Sequence, residues 1–149
     1  MSARRGASAA VGGGIVVDAS VAAAWCFEDA VSPFTEAALD EVVRNGARVP
    51  ALWLVEMTNV LALAERRGRL DAERVDGFLV GLLALPVDLD HGEPGVLWPA
   101  LVRIARAQRL TAYEAAYLEL AMRLGLPLAT QDASLRTAAE RVGVTLFAS

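Results

Sequence analysis

Ile15-Val16-Val17-Asp18-Ala19-Ser20 is an apolar run that stops at a carboxylate and passes directly into helix-forming sequence. A short strand that is apolar at every position is buried on both faces, the signature of a parallel sheet. The helix that starts at Asp18-Ala19-Ser20 runs toward Phe27. The same grammar returns near the C-terminus, where Leu126-Pro127-Leu128-Ala129-Thr130 reads as a strand and Ser134 to Arg141 as a helix, with Val144 to Phe147 as a last strand. Arg48-Val49-Pro50 and Val87-Asp88-Leu89 read as two more strands. Between them, Ser32-Pro33 is a cap-then-proline start for a helix ending near Asn45-Gly46. Helical spacing runs from Trp53 to Arg67 and stops at Gly68, and Asp71 caps a helix through Leu85. Glu93 to Gln108 is expected to be a helix interrupted near Pro99, and Thr111 opens another that stops at Gly125. Strands alternating with helices predict an α/β fold, a three-layer α/β/α sandwich around a mostly parallel sheet.

That architecture gives meaning to four carboxylates. Asp18 follows the first strand, and Asp132 follows Leu128-Ala129-Thr130-Gln131. Glu56 lies in Leu54-Val55-Glu56-Met57-Thr58-Asn59 and Glu114 in Thr111-Ala112-Tyr113-Glu114, each near a helix start. In a parallel sheet all such strand ends share one edge, so residues far apart in sequence can meet in one crevice. Four carboxylates there cannot all stay ionised without a cation. Hard oxygen ligands point to magnesium or manganese.

Each residue also has a plainer reading. Asp18 and Asp132 both precede helices and suit N-caps. Thr111-x-x-Glu114 is a capping box, in which the glutamate reaches back to the cap residue's amide. Glu56 has the weakest plain reading, because an unpartnered carboxylate among Trp53, Leu54, Val55 and Met57 is costly. Asn59 lies one turn beyond Glu56 on the same helix face, placed to orient that carboxylate, to touch substrate, or simply to face water.

Composition narrows the classes. With 149 residues the chain is long enough for one domain with a sizeable core. It is 55% apolar, with a mean hydropathy of +0.40, an excess that buried parallel strands and a self-association surface would both explain. The longest apolar stretch, Phe78 to Val87, contains Gly81 and Pro86 and is too short to cross a bilayer, so no membrane partner is expected. All fourteen basic residues are arginine, which excludes P-loops, phospho-receiver domains and other lysine chemistry. The formal net charge of −4 rules out a polycation that coats nucleic acid, but a metal-dependent nuclease takes its positive charge from the ion. A single cysteine, Cys26, fits a reducing cytoplasm and reads as a small core residue. Residues 1–14, rich in Ala, Gly and Ser, lack the apolar stretch of a secretory signal and are expected to be a disordered extension, leaving 15–149 as the domain.

The run Val16-Val17-Asp18-Ala19-Ser20, Glu56 with Asn59, Leu110-Thr111-Ala112-Tyr113-Glu114-Ala115-Ala116-Tyr117, and Thr130-Gln131-Asp132 together resemble the PIN-domain nucleases. Within them the order and spacing are most similar to the VapC toxins of bacterial toxin–antitoxin pairs. The resemblance spans residues 15 to 147. It implies a five-stranded parallel sheet, a magnesium-dependent endoribonuclease, a homodimer, and a cognate antitoxin that covers the site. It assigns Asp18, Glu56, Glu114 and Asp132 to catalysis and to holding Mg2+ or Mn2+. Ser20, Asn59 and Thr130 support them. Glu114 stands where the family usually has Asp, one methylene shorter. The expected chemistry is metal-assisted hydrolysis of RNA phosphodiesters, with Asp18 as the central ligand, Glu56 and Glu114 on one side and Asp132 on the other. The rival from a different class is a non-catalytic module of the same fold that binds RNA or an antitoxin, with Glu114 as the lesion.

The remaining residues carry less. Arg66, Arg67 and Arg69 sit where a helix dipole favours positive charge, and Arg103, Arg106 and Arg109 form a stripe at three-residue spacing. Either set suits RNA phosphates or a solvated face. His91 falls in a loop, and Trp25, Trp53 and Trp98 read as packing or interface residues.

Overall fold

A computed structural model describes residues 13–148, so the first twelve residues of the expected N-terminal extension lie outside it. Gly13 and Gly14, the last two of that stretch, lead into the sheet. Gly14 has a φ of +100°, and a Cβ there would stand 2.8 Å from the Gly46 carbonyl oxygen, so only glycine fits this close approach.

The chain runs β1 (Ile15–Val17), α1 (Ala19–Ala24), a 3-10 turn (Glu28–Ala30), α2 (Pro33–Asn45), β2 (Ala47–Pro50), α3 (Leu52–Arg66), α4 (Ala72–Ala84), β3 (Val87–Asp90), α5 (Pro94–Gln108), α6 (Ala112–Leu124), β4 (Leu128–Ala129) and α7 (Ala133–Val142). The strands form one sheet in the order β3-β2-β1-β4, all parallel. β1 lies inside it and is fully buried, as a strand covered on both faces must be. The chain steps outward from β1 to β2 to β3, then crosses back to place β4 on the other side of β1. Right-handed crossovers therefore put α2 on one face and α6 on the other, and both pack on β1.

The core joins β1, Val49 of β2 and Leu128 and Ala129 of β4 to α1, α2, α6 and α7. Its largest members from α6 are Tyr117, Leu118 and Leu120, all nearly inaccessible. A second, smaller cluster of Cys26, Leu61, Ala64 and Leu70 holds the segment after α1 against α3. Cys26 is buried, and burial pushes its thiol pKa up, so it is a packing residue.

Two expectations need correction. Among the described residues the sheet has four strands, not the five the resemblance implies. Residues 144–147 meet β4 at a single parallel bridge, Leu128 to Leu146, through the Leu128 and Phe147 amides. The reason is the brevity of β4, since Pro127 has no N–H to extend the ladder and the chain turns off the sheet after Ala129. Nor is α5 interrupted at Pro99. The proline falls in the second turn, where it forfeits one bond to the Gly95 carbonyl while the remaining turns continue.

Candidate active site

The strand order reverses between β1 and β4, and the crevice beyond the carboxyl ends of such a pair is where open α/β sheets place their ligands. Here that crevice is a cleft of about 290 Å³ lined by Asp18, Ser20, Glu56, Thr111, Tyr113, Glu114, Tyr117, Asp132 and Leu135. Five of the residues singled out in the sequence therefore share one surface: Asp18 from the end of β1, Ser20 from α1, Glu56 from α3, Glu114 from α6 and Asp132 from the start of α7. Thr130 stands just behind it. Asn59 is exposed on α3 and does not line the cleft.

Asp18 caps α1 and is only 8% exposed. Its Oδ2 accepts from the Ser20 hydroxyl (3.0 Å) and the Thr130 hydroxyl (2.8 Å), while Oδ1 faces the Ser20 amide at 3.4 Å. Thr130 is wholly buried and uses the same hydroxyl oxygen to accept from the Asp132 amide (3.1 Å). Asp132 in turn caps α7, with Oδ1 accepting from the Leu135 amide at 2.8 Å. The N-cap readings of both aspartates hold, and neither excludes a further role, since a carboxylate offers about four lone-pair sites.

Glu114 forms the capping box foreseen for it. Its Oε2 accepts from the Thr111 amide (2.9 Å), and its own amide donates to the Thr111 hydroxyl (3.2 Å). Glu56 takes a bond from a residue that sequence reasoning did not single out. The Tyr117 hydroxyl donates to Glu56 Oε1 at 2.7 Å and accepts from the Ala19 amide at 3.3 Å. The signal for Tyr117 was its place one turn after Glu114 on α6, which directs both side chains to the same cleft. Burial raises the Glu56 pKa most, the Tyr117 bond opposes that, and the charge of Asp18 adds to it. Burial, together with Glu56 and Asp18, holds the Tyr117 phenol far above its usual ionisation range, so it stays protonated as a donor.

The electrostatics are one-sided. No arginine or histidine lines this cleft, and none of its four carboxylates is in a salt bridge among the described residues. A larger cleft of about 330 Å³ farther along the sheet edge holds Asp90, His91 and Glu119. Its acids are compensated by Arg123, 2.6 Å from Asp90 and 2.7 Å from Glu119, which marks that cluster as structural. Among the described residues the first cleft has no such compensation.

The donor set of that cleft suits a hard cation. Among the described residues, however, no three acidic, histidine or cysteine side chains converge to hold one ion. The hydrogen bonds explain why, because Glu114 is turned back on Thr111 and Asp132 on Leu135. Magnesium commonly keeps several waters and takes only one or two carboxylates directly, so the set remains compatible with it. Asp18 and Glu56, close enough for one charge to act on the other, are the pair best placed.

Of the arginine clusters, Arg69 is committed to Asp29 (3.2 Å) and stacks on Phe27. Trp25 and Trp53 pack against the core, whereas Trp98 is 71% exposed. No helix among the described residues is long and apolar enough to cross a membrane.

Neither a protein-family model nor a curated protein sequence matches the chain. Solved structures do. The chain is similar to PAE2754 from Pyrobaculum aerophilum, with a TM-score of 0.61 and 23% identity over 85% of this chain and 84% of that one. It is also similar to FitAcB from Neisseria gonorrhoeae, with a TM-score of 0.63 and 16% identity over 90% of this chain and 96% of that one. These likenesses establish a shared fold.

Proposed function

We propose that this protein is a metal-dependent endoribonuclease of the PIN type and the toxin of a toxin–antitoxin pair. The observation that carries the proposal is a cleft at the switch point of the sheet that Asp18, Glu56, Glu114 and Asp132 all line, with no cationic side chain in it among the described residues. The shared fold of PAE2754 and FitAcB supports it. Asp18 and Glu56 would hold magnesium or manganese, with Glu114 and Asp132 flanking. When bound, the ion supplies a polarised phosphodiester and a water of lowered pKa.

The chain's own contribution is positioning. Ser20 and Thr130 fix the Asp18 carboxylate from two sides, so it meets its ligand without reorganising. Tyr113 forms a less polar part of the rim, and its 62% exposed ring offers a surface for an unstacked base. The substrate is RNA, the cognate antitoxin covers the cleft, and the chain acts in the cytoplasm as a homodimer. Incubating purified protein with total cellular RNA, with magnesium or manganese and with EDTA, tests the proposal. Discrete metal-dependent fragments that disappear in Asp18→Asn are expected, and full activity in that variant would sink the assignment.

A second reading is favoured by one observation, the engagement of Glu114 in its capping box. If that engagement is its whole role, the chain is a binding module of the same fold. Manganese separates the two, since an ion that binds the folded state raises its melting temperature and a module without a metal site shows no shift.

A further inference from the structure

The Tyr117 hydroxyl stands at the junction of the three elements that build the acidic half of the cleft. It belongs to α6, donates to Glu56 on α3 (2.7 Å), and accepts from the Ala19 amide at the first turn of α1 (3.3 Å). That amide is one of the donors an α-helix leaves unpaired at its N-terminus, and it belongs to the residue directly after Asp18. The ring is 2% exposed and wedged in the core, so the oxygen has no freedom to move with solvent. One rigid hydroxyl therefore ties the Glu56 carboxylate to the backbone that carries Asp18.

We infer that Tyr117 is a positioning residue, which sets the separation and orientation of Asp18 and Glu56 for a shared divalent cation. This inference rests on the nuclease reading above and adds a residue to it. A long, half-buried glutamate has three rotatable bonds, and nothing else among the described residues makes a side-chain hydrogen bond to Glu56. Without the phenol its carboxylate would sample several rotamers, and the pair would have to be reassembled each time an ion entered. Groups that orient a metal-binding carboxylate in this way typically contribute roughly 10–100-fold to affinity or activity. The plain alternative is that a buried tyrosine needs some acceptor and Glu56 is merely the nearest. The two differ in what they predict for the metal.

The experiment is a double-substitution cycle read by manganese binding in calorimetry, on the full chain without RNA. Tyr117→Phe keeps the ring and removes the hydroxyl, and its affinity for manganese should fall roughly 10–100-fold. Glu56→Ala should weaken manganese binding on its own, and adding Tyr117→Phe to it should cost nothing more, because the hydroxyl acts through Glu56. On RNA, Tyr117→Phe should lower kcat at limiting manganese and leave KM for RNA unchanged. If Tyr117→Phe binds manganese as tightly as the parent, or if the two substitutions add, the positioning role is overturned and the nuclease reading survives. If the parent binds no manganese, both fall together. A second measurement does not depend on that variant folding. The chain has two tyrosines, so in Tyr113→Phe the ring at 117 is the only one left. Manganese should then produce a tyrosine ultraviolet difference band, and its absence despite measured binding would overturn the inference.

Discussion

Thr130 has one hydroxyl and uses it in both directions, donating to Asp18 and accepting from the amide of Asp132. Replacement by the isosteric Val leaves the Asp132 amide without its partner and Asp18 Oδ2 with the Ser20 hydroxyl alone, which costs about 1–3 kcal/mol. Thr130→Val should therefore lower the unfolding free energy measured in urea by that amount and cut RNA cleavage, while Thr130→Ser should restore much of both. Glu56 makes a different point. Its folded-state pKa lies above the ordinary value of 4.5, so the stability it contributes is fully present below that pH and is lost as pH rises through the raised value. In EDTA at neutral pH, Glu56→Gln should thus melt higher than the parent, and the gap should close as pH falls below 4.5. Scanning calorimetry across pH reads this directly. A stabilising effect of removing a carboxylate is what a site built for a cation, and holding none, should show.

At the scale of elements, the first turn of α6 carries two possible jobs on one side chain. Glutamine satisfies a capping box as glutamate does but has no charge. Glu114→Gln should leave the melting temperature in EDTA nearly unchanged and weaken manganese-dependent cleavage if the side chain is a ligand. An unchanged rate would leave it a brace. α4 and α5 are unusual in another respect, because neither buries any residue in this single chain. Val80 and Leu83 on α4 are 68% and 75% exposed, and Val96 and Trp98 on α5 are 67% and 71% exposed. Part of the apolar excess of the composition is exposed on these two helices.

For the whole molecule, such exposed helices predict self-association. Sedimentation of the purified chain should show a dimer at micromolar concentration, and Val80→Glu with Leu83→Glu should weaken it by about tenfold or more. A monomeric parent would remove the homodimer from the proposal. The sheet order acts at the same scale. Because β4 returns to the far side of β1, Asp18 and Asp132 are neighbours across 114 positions of sequence, joined through Thr130. A chain that continued outward from β3 would have left them at opposite edges.

The sequence by itself determined the α/β class, the order of helices and strands, and the caps, because each depends on residues within a turn or two of one another. Ser32-Pro33, Asp71 and Thr111 begin helices in the structure for the local reasons legible in the chain. It also marked the carboxylates, since acids at the ends of apolar runs stand out against them. Tertiary structure alone decided the rest. The end of the sheet at four strands follows from how little of β4 is available for pairing. Arg123 compensates the acids of one cleft, and among the described residues nothing compensates those of the other. The bond from Tyr117 to Glu56 spans 61 positions. Periodicity reports which face of an element is buried, but the partner that a buried polar atom finds depends on how those faces are brought together.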